Sequence, residues 1–201
     1  MIRIGLTGVS GSGKSFVTKI FDQYGIPSIN ADAVVHELYS AKNPCTEALS
    51  QLFGNDILLA EDSVDRRKLA SIVFASQEKL QLLNQTVHPF VIERIDKISK
   101  EKENQGERAF LIEAPQLFEA GLEASCDYVI SVMADHETRI ERLIARDGIT
   151  KDMAEKRIFN QFKDSFFRDR SDFCIENNSG DDLETQVQSI LTEIGFLYEK
   201  E

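Results

Sequence analysis

A short apolar run followed by closely spaced glycines opens the chain, and this feature limits the possible folds more than any other. In the stretch GLTGVSGSGKS, residues 5–15, Gly8, Gly13, Lys14 and Ser15 match the pattern G-x-x-x-x-G-K-S/T of a phosphate-binding loop. In such a loop successive backbone N–H groups face phosphate oxygens, and the following helix adds the positive end of its dipole. The feature predicts a strand, a loop and a helix that hold a nucleotide. It leaves open which molecule receives the γ-phosphate.

The spacing of apolar residues beyond the loop predicts an α/β fold. A helix should begin near Lys14, place Phe16, Val17 and Phe21 on its inner face, and end at Gly25. Apolar runs that alternate with helical patterns are typical of a doubly wound sheet, so we expect the phosphate-loop NTPase fold, a parallel sheet flanked by helices. The runs that read as buried strands are residues 2–6, 26–29, 109–112 and 128–133.

The chain is expected to form a single domain, residues 1–201, with two additions to its core. Amphipathic helices dominate residues 31–105 and predict a helical insertion that binds the acceptor. Within it, His88-Pro89 is predicted to be a helix junction, because proline disfavours helix at the residue before it. Residues 137–168 carry both signs of charge and predict a helical lid. The core then comprises about residues 1–30, 106–136 and 169–201.

Composition excludes several classes of protein. The net charge of −11 argues against a general nucleic-acid binder, which carries a basic surface. The sequence lacks an 18-residue apolar run and a signal peptide, which predicts a soluble cytoplasmic protein without a membrane partner. Cys45, Cys126 and Cys174 are too far apart for a zinc motif, so we expect thiols in a reducing compartment. No pattern points to a particular oligomeric state.

Two positions near the loop predict a bound Mg²⁺. The Ser15 hydroxyl is placed to ligate Mg²⁺, while Lys14 bridges the β- and γ-phosphates of ATP. Glu113 ends the buried strand in FLIEAP, where phosphate-loop proteins commonly have an acidic residue that organises the metal or its water. The alternative for Glu113 is a salt-bridged strand end. Because Glu is longer than the usual Asp, its direct coordination of the metal stays open.

Asp32 follows the second predicted strand and starts a helix. A carboxylate at this point faces the carboxyl edge of a parallel sheet, where phosphates bind. It could accept the proton of an acceptor hydroxyl or help to hold the metal. The alternative is a helix cap, since Asp is a favoured capping residue. Spacing alone favours neither reading.

A charged helix predicts how the transferring phosphate is neutralised. Arg139, Arg142 and Arg146 share one helix face at i, i+3, i+7 spacing. Guanidinium groups on one face suit a triphosphate, because phosphoryl transfer needs positioning and charge neutralisation more than covalent help. The alternative is a solvated face balanced by Glu137, Glu141 and Asp147. In the helical insertion, Arg66 follows Asp65 and either binds an acceptor phosphate or simply belongs to a helix start.

The missing motifs narrow the class to a small-molecule kinase. The sequence lacks the N-K-x-D guanine motif that a GTPase switch would show. Motor and transporter ATPases are usually longer and show their own signatures. A compact chain with a phosphate loop, a helical insertion and an Arg-rich segment suits a kinase that phosphorylates a nucleotide, shikimate or another metabolite.

Over about residues 1–190 the sequence resembles the dephospho-coenzyme A kinase family. The matching segments occur in the family's order and with its spacing, and as a set they are far more specific than the loop. Asn30 replaces the first Asp of a D-A-D element, which leaves Asp32 as its acidic residue. The segments are GLTGVSGSGKS (5–15), NAD (30–32), DRRKLASIVF (65–74), LNQTVHP (83–89), PQLFE (115–119), RLIAR (142–146), RIFNQ (157–161) and SDFCIEN (171–177).

The resemblance implies transfer of the γ-phosphoryl group of ATP to the ribose 3′-hydroxyl of dephospho-CoA, which gives CoA and ADP. It implies that Lys14, Asp32 and Arg142 are catalytic and that Ser15 and Glu113 serve Mg²⁺. The residues implied to contact ATP are Gly8, Gly11, Ser12, Gly13, Lys14, Ser15, Phe16, Arg142, Arg146 and Asn177. Those implied to contact the acceptor are Asp32, Arg66, His88, Pro115, Leu117 and Phe118.

Two other functions are compatible with the loop alone. Another metabolite or nucleotide kinase of the same fold would require the later motifs to be coincidental. A nucleotide-dependent regulatory protein without turnover would have no need of Lys14, Ser15 and Asp32 together. Both alternatives predict no ADP release with dephospho-CoA.

Overall fold

A five-stranded sheet forms the centre of the protein in the computed structural model, which describes residues 1–197. The strand order is β2-β3-β1-β4-β5, and β1 pairs in parallel with both β3 and β4. This sheet confirms the predicted fold class, because strands joined through helices form a doubly wound α/β sheet. The strands are β1 (Ile2–Thr7), β2 (Ser28–Asn30), β3 (Ala109–Glu113), β4 (Tyr128–Met133) and β5 (Phe173–Glu176).

Helices occupy most of the remaining described chain. Several begin at a side-chain cap; Asn30 accepts a hydrogen bond from the Ala33 N–H, and Asp65 accepts one from the Arg67 N–H. Lys14 begins its helix as expected. The helices are α1 (Lys14–Gln23), α2 (Ala31–Leu38), α3 (Pro44–Phe53), α4 (Arg66–Val73), α5 (Gln77–Asn104), α6 (His136–Asp147), α7 (Lys151–Phe159), α8 (Asp164–Arg170) and α9 (Leu183–Glu193).

The chain divides into two compact units, and unit 1 contains the phosphate loop. Unit 1 comprises Met1–Ser28 and the chain from Lys102 onward. Its core is formed by apolar side chains of the strands together with those of α1 and α9. Val17 and Phe21 of α1 are fully buried there, whereas Phe16 is 66% exposed, so the expectation that Phe16 faces inward is wrong. The fully buried strand residues include Ile4, Leu6, Leu111, Ile130, Val132 and Ile175.

Unit 2, Ile29–Glu101, is predominantly helical. It contains α2, α3 and α4, most of α5, and an isolated antiparallel bridge between Leu58 and Val64. Apolar residues at helical spacing supply its buried side chains, as the amphipathic pattern predicted. These residues include Val34, Leu49, Ile57, Leu69, Val73, Val87, Val91 and Ile95.

The predicted helix junction at His88-Pro89 is wrong. Helix α5 runs continuously from Gln77 to Asn104 with Pro89 inside it. Proline removes one backbone hydrogen bond from a helix interior. Val87 and Val91 are nevertheless both buried on one face of α5, so packing on both sides of Pro89 holds the helix together.

The charged segment beyond β4 folds into α6, α7 and α8. Gly148 ends α6 with φ 63°, and Thr150 caps α7 by accepting a hydrogen bond from the Met153 N–H. Buried Leu143 of α6 and Ala154 of α7 belong to one small apolar cluster. Within residues 1–197, every helix is too short or too polar to cross a bilayer.

Candidate active site

The loop between β1 and α1 has a conformation that requires glycine. Gly11 and Gly13 have φ values of 82° and 91°, in the left-handed region that residues with a Cβ avoid. A Cβ on Gly11 would lie 2.7 Å from the Arg139 carbonyl oxygen, and a Cβ on Gly13 would collide with the Asn177 side-chain amide. The loop is therefore packed closely against the start of α6 and the chain after β5.

Lys14 is held over its own loop. Its ammonium group donates hydrogen bonds to the carbonyl oxygens of Gly8, at 2.8 Å, and Val9, at 3.2 Å. The residue is 9% exposed, although a lysine on the first turn of a helix would ordinarily extend into solvent. The cationic group thus lies against the loop backbone that is predicted to hold phosphates.

Glu113 joins the end of β3 to the first turns of α1. Its Oε1 accepts a hydrogen bond from the Ser15 hydroxyl at 3.3 Å, and its Oε2 accepts one from the Thr18 hydroxyl at 2.9 Å. Glu113 is 7% exposed, so these two hydroxyls satisfy a carboxylate that is largely withdrawn from water. The salt-bridged alternative for Glu113 gains no support, because its partners are hydroxyls. Thr18 was not predicted as a site residue.

Arg142 and Asn177 bind the carbonyl side of the loop. Arg142 Nη1 donates to the Gly11 oxygen at 3.4 Å and the Ser12 oxygen at 3.2 Å. Asn177 Nδ2 donates to the Ser12 oxygen at 2.7 Å, and its Oδ1 accepts from Arg142 Nη2 at 3.4 Å. The structure therefore brings together the loop, an arginine of α6 and the amide after β5. Contact of these groups with ATP stays a prediction.

Gln161 is a further loop contact that sequence reasoning missed. Its Oε1 accepts a hydrogen bond from the Ser10 N–H at 2.9 Å. The residue lies just beyond α7 and ends the RIFNQ segment, which was noted as a motif without a role. That segment was the only signal in the sequence, because nothing local indicates that its amide reaches a loop 151 residues away.

The three arginines of α6 do not act alike. Arg139 is 5% exposed and forms an ion pair with Asp164 of α8 at 2.8 Å, so its guanidinium group is engaged by α8. Arg146 pairs with Asp147 at 2.8 Å, and Arg157 of α7 reaches the same carboxylate at 2.8 Å. These guanidinium groups, that of Arg146 first, hold the pKa of Asp147 below its usual range. Among the three, Arg142 is the one whose guanidinium group bonds to the loop backbone.

The segment after β3 contains three residues that are predicted to contact the acceptor, and each of them has different neighbours. The Pro115 carbonyl accepts a long hydrogen bond of 3.5 Å from the Thr7 hydroxyl. Leu117 is fully buried, and its methyl groups lie against Gly5. Phe118 packs edge-on against Phe166 of α8 with ring centroids 5.4 Å apart. Contact of these residues with the acceptor stays a prediction.

In unit 2 the predicted acceptor residues are spread over three helices. Asp32 is exposed in the first turn of α2, and Asn30 is the cap of that helix, so the capping alternative for Asp32 is wrong. Arg66 opens α4 and lies 3.3 Å from the His36 ring nitrogen. His88 is half-buried in α5, and burial lowers the pKa of its imidazole. Their roles stay predictions.

The oxygen groups beside Lys14 fit a magnesium ion. Mg²⁺ prefers carboxylate, hydroxyl and phosphate oxygens, and it usually binds one or two protein groups while keeping several waters. Ser15 and Glu113 supply a hydroxyl and a carboxylate within 3.3 Å of each other. Within residues 1–197, His, Cys, Asp and Glu side chains form no group of three or more that could hold a metal.

Comparisons with known proteins agree with this geometry. The family model described as dephospho-CoA kinase matches residues 2–182. A dephospho-CoA kinase of Bacillus licheniformis is 39% identical over 189 residues, which cover 94% of each chain. One of Corynebacterium glutamicum is 35% identical over 195 residues, covering 96% of this chain and 98% of that protein. The crystal structure of TT1252 from Thermus thermophilus has a TM-score of 0.79 and 32% identity, covering 96% and 97% of the two chains.

Proposed function

Because this chain belongs to the dephospho-CoA kinase family and phosphorylates dephospho-CoA with ATP in coenzyme A biosynthesis, we propose which of its residues carry the reaction. In this proposal the groups bonded around the phosphate loop hold the donor, and Asp32 serves the acceptor. One observation supports it above all: Lys14 and Arg142 bond to the backbone of the loop, and Ser15, the residue after Lys14, bonds to Glu113.

The loop would bind the triphosphate through its backbone N–H groups and Lys14. The Lys14 ammonium would exchange its contacts with the Gly8 and Val9 carbonyls for the β- and γ-phosphate oxygens. Arg142, already bound to the loop backbone, would neutralise the charge of the transferring group. The other proposed ATP contacts are Gly8, Gly11, Ser12, Gly13, Ser15, Phe16, Arg146 and Asn177, with α6–α8 as the lid.

Ser15 and Glu113 would hold Mg²⁺. The Ser15 hydroxyl donates its proton to Glu113, so its oxygen lone pairs remain available to a cation. When bound, the ion would neutralise phosphate charge and help to orient the nucleotide.

Asp32 would orient the ribose 3′-hydroxyl of dephospho-CoA and accept its proton. A bond then forms between the 3′-oxygen and the γ-phosphorus, the bond from that phosphorus to the β,γ-bridging oxygen breaks, and ADP leaves. Arg66, His88, Pro115, Leu117 and Phe118 are the proposed acceptor contacts. Asp32 is exposed and is not needed as a helix cap, which leaves its carboxylate available for this role.

We also propose a cytoplasmic location with small molecules as the partners. Cys45, Cys126 and Cys174 carry thiols rather than disulfides in the described chain, which fits a reducing compartment. The net charge of −11 disfavours nucleic acid as a partner.

A coupled ADP-release assay with matched lysine variants tests the proposal. Lys14→Ala should lower kcat by roughly 10²–10³-fold with dephospho-CoA, because a preorganised charge at the phosphates is lost. Lys19→Ala, an exposed lysine of the same helix, should leave kcat unchanged. With AMP, adenosine or shikimate in place of dephospho-CoA, either variant should release little ADP. Equal rates for the two variants would refute the role of Lys14.

A further inference from the structure

We propose that Thr18 is a positioning residue that orients the Glu113 carboxylate toward Ser15 and thereby toward Mg²⁺. This inference rests on the proposed role of Ser15 and Glu113 as the metal site. Thr18 lies outside the phosphate-loop motif and one helical turn beyond Lys14, so the motif itself gives it no function. Its contact with Glu113 is the shorter of the two hydroxyl contacts that this carboxylate makes.

Helix geometry places both hydroxyls on one side of α1. Ser15 and Thr18 are separated by three residues, so their side chains are neighbours on the helix surface. Glu113 ends β3 and pairs in register with Leu6 of β1, the strand that leads into the loop. The carboxylate therefore meets α1 from the sheet, with one oxygen on each hydroxyl.

The single proton of Thr18 has two possible acceptors. Its Oγ1 lies 2.9 Å from Glu113 Oε2 and 3.2 Å from the Lys14 carbonyl oxygen. Threonine hydroxyls in helices commonly bond the carbonyl one turn back, as the second contact would. The carboxylate is closer and, when ionised, accepts the stronger hydrogen bond, so the proton is directed to Glu113.

Fixing one carboxylate oxygen determines where the other points. With Oε2 bound to Thr18, Oε1 faces the Ser15 hydroxyl at 3.3 Å. Glu113 has three side-chain torsions that must be restricted for its carboxylate to stay in this orientation. A hydrogen bond from the second turn of α1 supplies that restriction, as outer-shell partners do for metal ligands in general.

The length of the Glu113 side chain allows its two carboxylate oxygens to reach both hydroxyls. A carboxylate one methylene shorter could not keep both hydroxyl contacts at the same backbone position. Glu113→Asp should therefore lose the Thr18 contact, and Thr18→Val should add little in that background. Thr18 and Glu113 should thus behave as a coupled pair.

Metal binding to the nucleotide complex tests the inference without turnover. Mg²⁺ or Mn²⁺ is titrated into the enzyme with β,γ-imido-ATP, by calorimetry or by Mn²⁺ spin resonance. Thr18→Val should weaken metal binding about tenfold, and Thr18→Ser should restore it. The KM for dephospho-CoA should not change. The matched control is Thr192→Val, because the Thr192 hydroxyl of α9, like that of Thr18, lies within hydrogen-bonding distance of the carbonyl one turn back, here that of Gln188 at 2.9 Å.

The outcomes separate this inference from the proposed function. If Glu113→Ala weakens metal binding but Thr18→Val does not, Thr18 has no positioning role while Glu113 keeps its own. If Thr18→Val weakens binding equally in wild-type and Glu113→Ala backgrounds, its effect does not pass through Glu113, which overturns the inference. If neither variant changes metal binding, the proposed metal site fails and the inference fails with it.

Discussion

The phosphate-loop end of unit 1 and the predicted acceptor residues of unit 2 are built in opposite ways. In unit 1 the side chains of Lys14, Arg142, Asn177 and Gln161 all bond to the loop backbone. In unit 2, all of whose residues the structure describes, the Asp32 and His88 side chains make no hydrogen bond to another residue of that unit, and Arg66 contacts His36 at 3.3 Å. The loop partners of unit 1 thus share one backbone segment, whereas the three acceptor residues of unit 2 have no partner in common.

The difference indicates two kinds of sensitivity to mutation. A residue that is bonded to the loop should affect nucleotide binding and folding together, because the same contacts serve both. An exposed acceptor residue should affect the reaction alone. The following experiments test that separation.

Asp32→Asn should have the largest effect of these variants, and the effect should be on the reaction rather than on ATP binding or stability. It keeps the size of the side chain but removes the proton acceptor, so kcat should fall about 10³-fold. The dissociation constant for ATP and the melting temperature should not change, because the side chain is exposed. Steady-state kinetics, calorimetry with ATP and thermal unfolding provide the three measurements.

The matched control for Asp32 is Asp56→Asn, another exposed aspartate of unit 2. It should behave as the wild type in all three measurements. A kcat of Asp32→Asn equal to that of the control would remove the role proposed for Asp32.

Asn177→Ala should affect both ATP binding and folding stability. It therefore tests whether the contacts of the loop serve both. It removes the shorter of the two hydrogen bonds that the Ser12 carbonyl accepts, the one from Asn177 at 2.7 Å, and leaves the one from Arg142 at 3.2 Å. The expected loss is about 0.5–1.5 kcal/mol in the free energy of unfolding. The KM for ATP should rise as well, since the same bond shapes the loop.

Asn104→Ala, at the exposed end of α5, is the control for Asn177 and should change neither property. Chemical denaturation and the KM for ATP are measured for both variants. If Asn177→Ala raised the KM for ATP without lowering stability, the loop contacts would serve nucleotide binding alone, and the difference between the two regions would not hold.

Acidification should give the smallest effect, a loss of folding stability that arises from His88 in unit 2. Burial lowers the pKa of His88, so the unfolded chain takes up its proton at a higher pH than the folded protein does. The contribution of His88 to stability is therefore complete above the unfolded pKa of about 6.5 and is lost as the pH falls below it.

The urea midpoint at pH 7.5 and pH 5.5 measures this effect. It should fall more for the wild type than for His88→Gln. The control is Gln85→Ala, an exposed uncharged position of α5, which should keep the pH dependence of the wild type. Equal losses for His88→Gln and the wild type would exclude His88 as the source.

The elements that depend on local pattern were predictable. Strand β4 occupies the predicted residues 128–133, and α1 begins at Lys14 because the loop motif specifies that junction. Strand β2 starts two residues later than expected, at Ser28, since a short edge strand has few apolar residues to mark its ends. Strand β5, Phe173–Glu176, was not predicted, because four residues carry too weak a pattern.

Features that depend on contacts between distant segments were not predictable. The pairing of Arg139 with Asp164 turns one of three similar arginines away from the loop, and no spacing rule indicates which one. The contacts of Thr18 and Gln161 arise only when β3 and the end of α7 are placed beside α1 and the loop. Proline at position 89 has a strong local preference, yet packing of α5 overrides it.

The contacts around Ser10, Ser12 and Gly13 limit whether the phosphate loop can be transferred to another protein. The loop's N–H and C=O groups are satisfied by Gln161, Arg142 and Asn177, which are encoded far from residues 5–15. A graft of the eleven-residue stretch into another scaffold would carry the glycines but none of these partners. The phosphate-loop motif therefore depends on residues that lie outside it. A loop transferred to another protein would have to be accompanied by all three distant side chains.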